Sequence, residues 1–296
     1  MVKKKKLNHS SVGYKIFTVA NYVILTLLGA LCLFPLIHVL ALSLSSKGYV
    51  EANLVTFIPK GFTWESYAYI FSGSAFWRAL WISVQRTVIG TLLTTLFTVF
   101  LAYPLSKETT MFAGRNIYMG LLVVAMLFSG GLVPTYLLVA NTLNLKDTVW
   151  SLIFPCSIQV FLATMMMNFF RQLPQSLEEA AYIDGADHFN VMLQITLPCS
   201  SPIIITVMIF SFINHWNSWF DGMIYSSQPL YYPLQTYLQQ FLKEPTLSNM
   251  ENGFADVSYR TLASANIFII LLPVVIFYPW VQKYFVKGIT LGSVKG

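Results

Sequence analysis

The sequence predicts an all-α membrane protein of six transmembrane helices with N and C termini cytoplasmic, and three observations predict it. Of 296 residues, 56% are hydrophobic and only 10% charged, with a mean hydropathy of +0.62; soluble domains carry about 25% charged residues. Six stretches free of Asp, Glu, Lys and Arg reach the ~20 residues that a helix needs to cross the hydrocarbon. The bases are also unevenly shared between the two sides that those stretches define.

The first span, 16–46, follows the run MVKKKK. It is about twice as long as a secretory apolar region of 7–15 residues, so it reads as an uncleaved helix. An outer segment follows, roughly Lys47 to Arg86. In its GFTWESYAYIF stretch and just beyond, Trp64, Tyr67, Tyr69, Phe71 and Phe76 suit either an interfacial belt or a half-buried amphipathic helix. The second span is 87–106, followed by the short inner loop SKETTMFAGRN. The third, 116–145, carries Gly130, Gly131 and Pro134, which predict a kink or a close helix contact. The outer loop NLKDT leads to the fourth span, 148–170, and the inner loop 171–194 to the fifth, 195–220.

In the outer loop 221–260, the interval Gly222–Leu242 is free of charge but holds Gln228, Gln235, Gln239, Gln240, Pro229 and Pro233. Lipid cannot satisfy those groups, so it is rejected as a span. The sixth span is 261–282. No repeat or low-complexity tract appears, and 1–296 reads as one membrane domain. Eleven Lys and Arg fall on the side of the termini against seven on the other, which places the termini in the cytoplasm. Bases distributed in that way give no reason to expect a nucleic-acid partner. Cys32, Cys156 and Cys199 lack the spacing of a disulfide or metal framework, and the four His residues show no paired-ligand spacing.

The inner loop has one Arg and four acids, Glu178, Glu179, Asp184 and Asp187. Ser176-Leu177-Glu178-Glu179 reads as a capping box, with Ser176 as N-cap and Glu179 reaching back. The helix runs about two turns, Gly185 offers a left-handed exit, and Asp187 caps a second short helix from His188 to about Gln194. So short a helix is unstable alone in water. It packs either on its own membrane domain or on a partner, with Leu177, Ala180, Ala181 and Ile183 as its apolar surface.

Glu179-Ala180-Ala181, three residues, Gly185, nine residues, Ile195, one residue, Leu197-Pro198 resembles, at every fixed position, the EAA signature of binding-protein-dependent ABC importer permeases. The segments SVQRT, HWNSWFDGMIY and QKYFVKGITLGSVKG are similar to those of MalG-like carbohydrate permeases, so the resemblance covers nearly the whole chain. It implies the MetI-like permease fold in a bacterial plasma membrane. It implies that Glu178, Glu179, Ala180, Ala181, Asp184, Gly185 and Asp187 form a coupling helix docked on a dimeric cytoplasmic ABC ATPase, with Glu179 capping the helix or pairing with a base of that subunit. ATP and Mg²⁺ would sit on the ATPase, with no cofactor on this chain. The other implied partners are membrane lipid, a second homologous permease subunit forming a heterodimer, and an extracellular solute-binding protein that the outer loop reaches into. Lys287 and Lys295 of the tail would touch the ATPase. The cargo would be oligosaccharides, with a look of those derived from polysaccharides and containing uronates.

Near the outer end of span five, Asn214, His215, Trp216, Asn217, Trp219 and Asp221 form a candidate substrate path. Aromatic faces pack on sugar C–H surfaces and amides or carboxylates pair with hydroxyls; the alternative is an aromatic belt with interhelical hydrogen bonds. The chain has no GxxxxGK[ST] phosphate loop, so it is no motor and no enzyme is expected. No Asp, Glu, Lys or Arg is expected within a span core, which disfavours a proton-coupled carrier. A permease for another solute and a self-sufficient secondary transporter remain the alternatives.

Overall fold

The computed structural model describes residues 12–243 and 257–293. The lysines at 3–6, the outer-loop stretch 244–256 and Lys295 lie outside the described residues, and the side chain of Lys287 is likewise not described. Two compact units form, one from Met1–Ser72 with Pro245–Ile269 and the other from Gly73–Glu244 with Ile270–Gly296, a division that no shift in composition marks.

In the first unit, α1 (Val12–Ser43) is mostly apolar, with Lys15 as its one charged residue, and only Ala41, Leu42 and Ser43 at its end are buried. It is followed by α2 (Lys47–Glu51) and α3 (Glu65–Ser72). Helix α3 buries Ser66, Tyr67 and Ile70, with the Tyr67 hydroxyl 2.8 Å from that of Ser43. Trp64 and Phe71 stay exposed. Of the two readings of this aromatic segment, the half-buried amphipathic helix is the one observed. Arg260 donates to the Val50 carbonyl at 3.0 Å and to Asn53 Oδ1 at 2.7 Å.

The second unit is organised on α4 (Ser74–Ser106). This helix begins thirteen residues before the expected start of span two, because Arg86, which ends the charge-free run, is buried and neutralised instead of reaching solvent. The third candidate span is α5 (Arg115–Leu127) and α6 (Leu132–Tyr136), the latter continued by a π-helical turn, Leu137–Thr142. The two halves are bent by 112° across 128–131, the break that Gly130 and Gly131 announce. The fourth is α7 (Val149–Ile153), a 3₁₀ turn Phe154–Cys156 and α8 (Val160–Phe170), bent by 50°. After α9 (Gln175–Ile183), the fifth comprises α10 (His188–Val191), a π-helical turn Met192–Thr196, α11 (Leu197–Cys199) and α12 (Ser201–Asn217), bent by 82°.

The rejected interval folds as α13 (Phe220–Tyr225), a 3₁₀ turn Pro229–Tyr231 and α14 (Leu234–Lys243), all too short to span. The last helix is α15 (Tyr259–Ser293). Among the described residues, three helices are long and apolar enough to cross a membrane, and the spans number up to six if each bent pair counts as one. The core of this unit lies where α4 packs on α8 and α12: Val99, Ala102, Leu105, Leu162, Met166 and Val207 are all buried there.

Candidate functional site

The acidic loop becomes a helix, a turn and a second helix, with one correction to its start. Helix α9 begins at Gln175, its N-cap is Pro174, and no side chain caps it. Ser176 therefore lies inside the first turn, and Glu179 stands two residues beyond the position that closes a capping box. The fixed φ of Pro174 and its β-region backbone start the helix instead. The C-terminal end is a Schellman turn, with Ala186 N donating to the Ala181 carbonyl at 2.9 Å and Gly185 N to that of Tyr182 at 3.1 Å. Gly185 has φ +86°, a conformation that other residues adopt at a cost. Asp187 caps α10, its Oδ1 accepting from Asn190 N at 2.8 Å. The second helix is shorter than expected, because the π-helical turn takes over at Met192.

The two adjacent glutamates point to different places. Glu178 forms an ion pair with Lys107 at the end of α4, and Thr196 Oγ1 donates to it at 3.4 Å. Gln175 adds a bond to Glu108 at 3.4 Å. Tyr182 Oη is 2.8 Å from His188 Nδ1, and the Tyr103 hydroxyl donates to the His188 carbonyl at 2.9 Å. Helix α9 is thus held to α4 and to the segment that leads into α12. No residue of α9 is buried. Leu177, Glu179, Ala180, Ile183 and Asp184 are exposed, Ile183 by 86%, and Glu179 has no ion-pair or hydrogen-bond partner among the described residues.

The six residues near the end of α12 do not converge on one surface. Asn214 and Asn217 are exposed on one edge, and Trp219 is half-buried. His215 is buried, with Nε2 3.2 Å from Thr94 Oγ1. Its ring fits because Gly90 lies opposite; a Cβ there would stand 2.7 Å from it. Trp216 is buried too, its indole donating to the Ile270 carbonyl at 3.1 Å. Asp221 is committed to Arg86: both guanidinium NH groups meet its carboxylate, and Ser218 Oγ and Gly222 N each donate to Oδ1 at 2.9 Å. Arg86 is the residue that sequence reasoning missed as part of this site; the available signals were its place beside a charge-free run and its position in the family-like segment SVQRT.

The described part of the outer loop packs on its own unit: Leu234 N donates to Ser83 Oγ at 2.7 Å, Thr236 Oγ1 to the Trp219 carbonyl at 2.6 Å, and Leu234 and Leu238 are buried.

Residues 86–291 match the family described as binding-protein-dependent transport system inner membrane component. The chain is 38% identical to protein LplC of Bacillus subtilis (strain 168) over 293 residues, 97% of this chain and 98% of that one. It is 36% identical over 287 residues to the polygalacturonan/rhamnogalacturonan transport system permease protein YtcP of the same organism, covering 95% and 99% of the two chains. Among solved structures, a chain from a bacterial ABC transporter involved in the import of the acidic polysaccharide alginate superposes with a TM-score of 0.84 at 28% identity, over 93% of this chain and 98% of that one.

Proposed function

The chain belongs to the family of inner membrane components of binding-protein-dependent transport systems, and from that premise we propose that α9 is the lever on which its ATPase partner acts. As a family member the chain is a multi-pass permease subunit of an ABC importer, not itself an enzyme, and works with an ATPase and a solute-binding protein. Our reading adds a second homologous permease as heterodimer partner, a dimeric cytoplasmic ATPase that carries ATP and Mg²⁺, and cytoplasmic termini that put α9 on the ATPase side.

The observation that carries this reading is the division of α9 into a held face and an open one. Glu178 ties one face to Lys107, while a nine-residue helix with no buried residue leaves Leu177, Ala180 and Ile183 exposed. A helix this short needs a surface to cover those side chains. The small Ala180 and Ala181 let the ATPase approach closely, and Glu179 offers it an unpaired carboxylate. Asp184, Gly185 and Asp187 shape the turn behind. Closure of the ATPase pushes on the open face, and the load passes through Glu178 into α4 and through the Tyr103–His188 contact toward α12.

The cargo in this reading is an oligosaccharide derived from a polysaccharide and containing uronate units. The names of a relative and of a structural neighbour, which concern polygalacturonan/rhamnogalacturonan and alginate, support it. On this subunit Asn214, Asn217 and Trp219 remain open to sugar hydroxyls and C–H faces, while His215, Trp216 and Asp221 hold the helices together. The outer loop and the tail, with Lys287, serve the binding protein and the ATPase respectively.

The docking claim is tested with Ala180→Trp, which adds bulk on the open face and disturbs nothing inside the chain. Affinity purification in mild detergent recovers the ATPase with the native chain and loses it with the variant, and uptake of oligogalacturonides falls to background. Retention of both by the variant contradicts the docking.

A further inference from the structure

Beside α9 lies a cleft of about 440 Å³ whose walls include Lys107, Glu108, Arg115, Arg171, Glu178 and Glu179. The three bases stand at the end of α4, the start of α5 and the end of α8, which is one boundary of three candidate spans. Lys107 and Glu178 neutralise each other, and Glu108 accepts from Gln175.

The two arginines are different. Arg115 Nε and Arg171 Nη2 both donate to the single carbonyl of Leu105, at 3.2 and 2.9 Å, and neither forms an ion pair among the described residues. Partial burial, and after it the neighbouring charge of Arg115, hold the Arg171 guanidinium below its ordinary pKa. Two guanidinium forks so arranged have donors left for a phosphate oxygen.

A second groove, about 380 Å³, opens next to the first and shares Lys107 and Met111 with it. Its lining is mainly apolar: Phe100, Tyr103, Phe112, Phe189 and Met192. The cleft's three bases are matched in number by Glu108, Glu178 and Glu179, but its two arginines have no ion-pair partner among the described residues, and an apolar groove borders it through Lys107 and Met111. Unpaired guanidinium groups beside an apolar groove, at the level where helices leave a bilayer, suit a lipid with an anionic head group. Basic pockets between spans at the membrane surface are sites for such head groups.

We propose that this paired cleft and groove hold one anionic phospholipid, with its phosphate between Arg115 and Arg171 and an acyl chain along Phe100, Phe112, Phe189 and Met192. A lipid there touches both Lys107 and the α9 side of the cleft, so the head group sits against the joint between α4 and the open helix. Anionic lipid content then bears on how firmly α9 is held.

The test is native mass spectrometry of the intact complex, purified through this chain and exchanged into neutral detergent. It is titrated separately with dioleoyl phosphatidylglycerol, dioleoyl phosphatidylcholine and soluble glycerol 1-phosphate. The expected result is phosphatidylglycerol retained on the native complex, phosphatidylcholine about tenfold less, and no glycerol phosphate at equal concentration. Arg115→Gln with Arg171→Gln lowers phosphatidylglycerol retention about tenfold, consistent with two bases lost at a membrane surface, and Arg115→Lys with Arg171→Lys keeps most of it.

Equal retention of the two lipids, or equal retention by the native and Gln-substituted complexes, overturns the proposal. Glycerol phosphate bound as tightly as the lipid makes this a site for free anions and overturns it as well. If the Gln variant does not assemble, the comparison of head groups on the native complex still decides.

Discussion

Helix α4 carries two ion pairs, one within it and one at its C-terminal end, and their surroundings are unlike. Within the helix Arg86 is 1% exposed, and its partner Asp221 also receives Ser218 and the backbone of Gly222. At the C-terminal end of the helix, Lys107 meets Glu178, whose only other hydrogen bond among the described residues is a long one to Thr196. Glu178 also stands on a helix that buries none of its own residues. The two pairs lie about 30 Å apart along one continuous helix. The first pair joins two elements that are themselves packed in the unit; the second joins a packed helix to an open one. In the proposed lever, the first keeps the helices together and the second is where they are pushed.

The comparison breaks most severely at the buried pair. Arg86→Ala leaves the largely shielded Asp221 without its counter-charge, though Ser218 and Gly222 still donate to it, and is expected to cost about 3 kcal/mol, read as a large fall in thermal midpoint in detergent. Arg86→Met combined with Asp221→Leu should recover most of that loss, since replacing both partners by apolar groups removes the stranded charge. A double variant as unstable as the single one would mean that the pair does more than hold the helices.

A smaller effect of the same kind comes from Gly90→Ala. Its Cβ would fall 2.7 Å from the buried ring of His215, forcing α4 and α12 apart at about 1–3 kcal/mol, again measured as a lower midpoint. The smallest effect sharpens the other end. Gly185→Ala meets no neighbour within 4 Å, so its cost is the left-handed backbone alone, about 1 kcal/mol. The thermal midpoint of the complex should barely move, while ATPase activity stimulated by the solute-binding protein drops several-fold.

Much of this layout was legible in the sequence, and what was not has a common cause. Charge-free counting works where a charge meets water, and α4 and α8 do stop at Ser106 and Phe170, where the charges resume. It fails at Arg86, whose partner Asp221 is 135 residues away. A rule that reads windows cannot see that neutralisation, so the span was cut short and Asp221 was offered to the substrate. Gly185 and Asp187 were readable because their jobs are local, a positive φ and an Asx cap. The start of α9 differs from the expectation because Ser176 and Glu179 have the right spacing for a capping box, while Pro174 sets the N-cap two residues earlier than that box requires. Neighbouring Glu178 and Glu179 could not be told apart in sequence; only the position of Lys107 sends one inward and leaves the other open.

The most direct test of the force path is a charge exchange across the joint between α9 and α4. The ATPase activity of the complex reconstituted in proteoliposomes is measured with and without loaded solute-binding protein, for the native chain, Glu178→Lys, Lys107→Glu and the double exchange. Each single variant should assemble with the ATPase yet lose stimulation about tenfold or more, and the double exchange should restore most of it. If the single variants are stimulated like the native chain, or the double exchange recovers nothing, the load does not pass through this ion pair and the account of α9 as a lever on α4 is wrong.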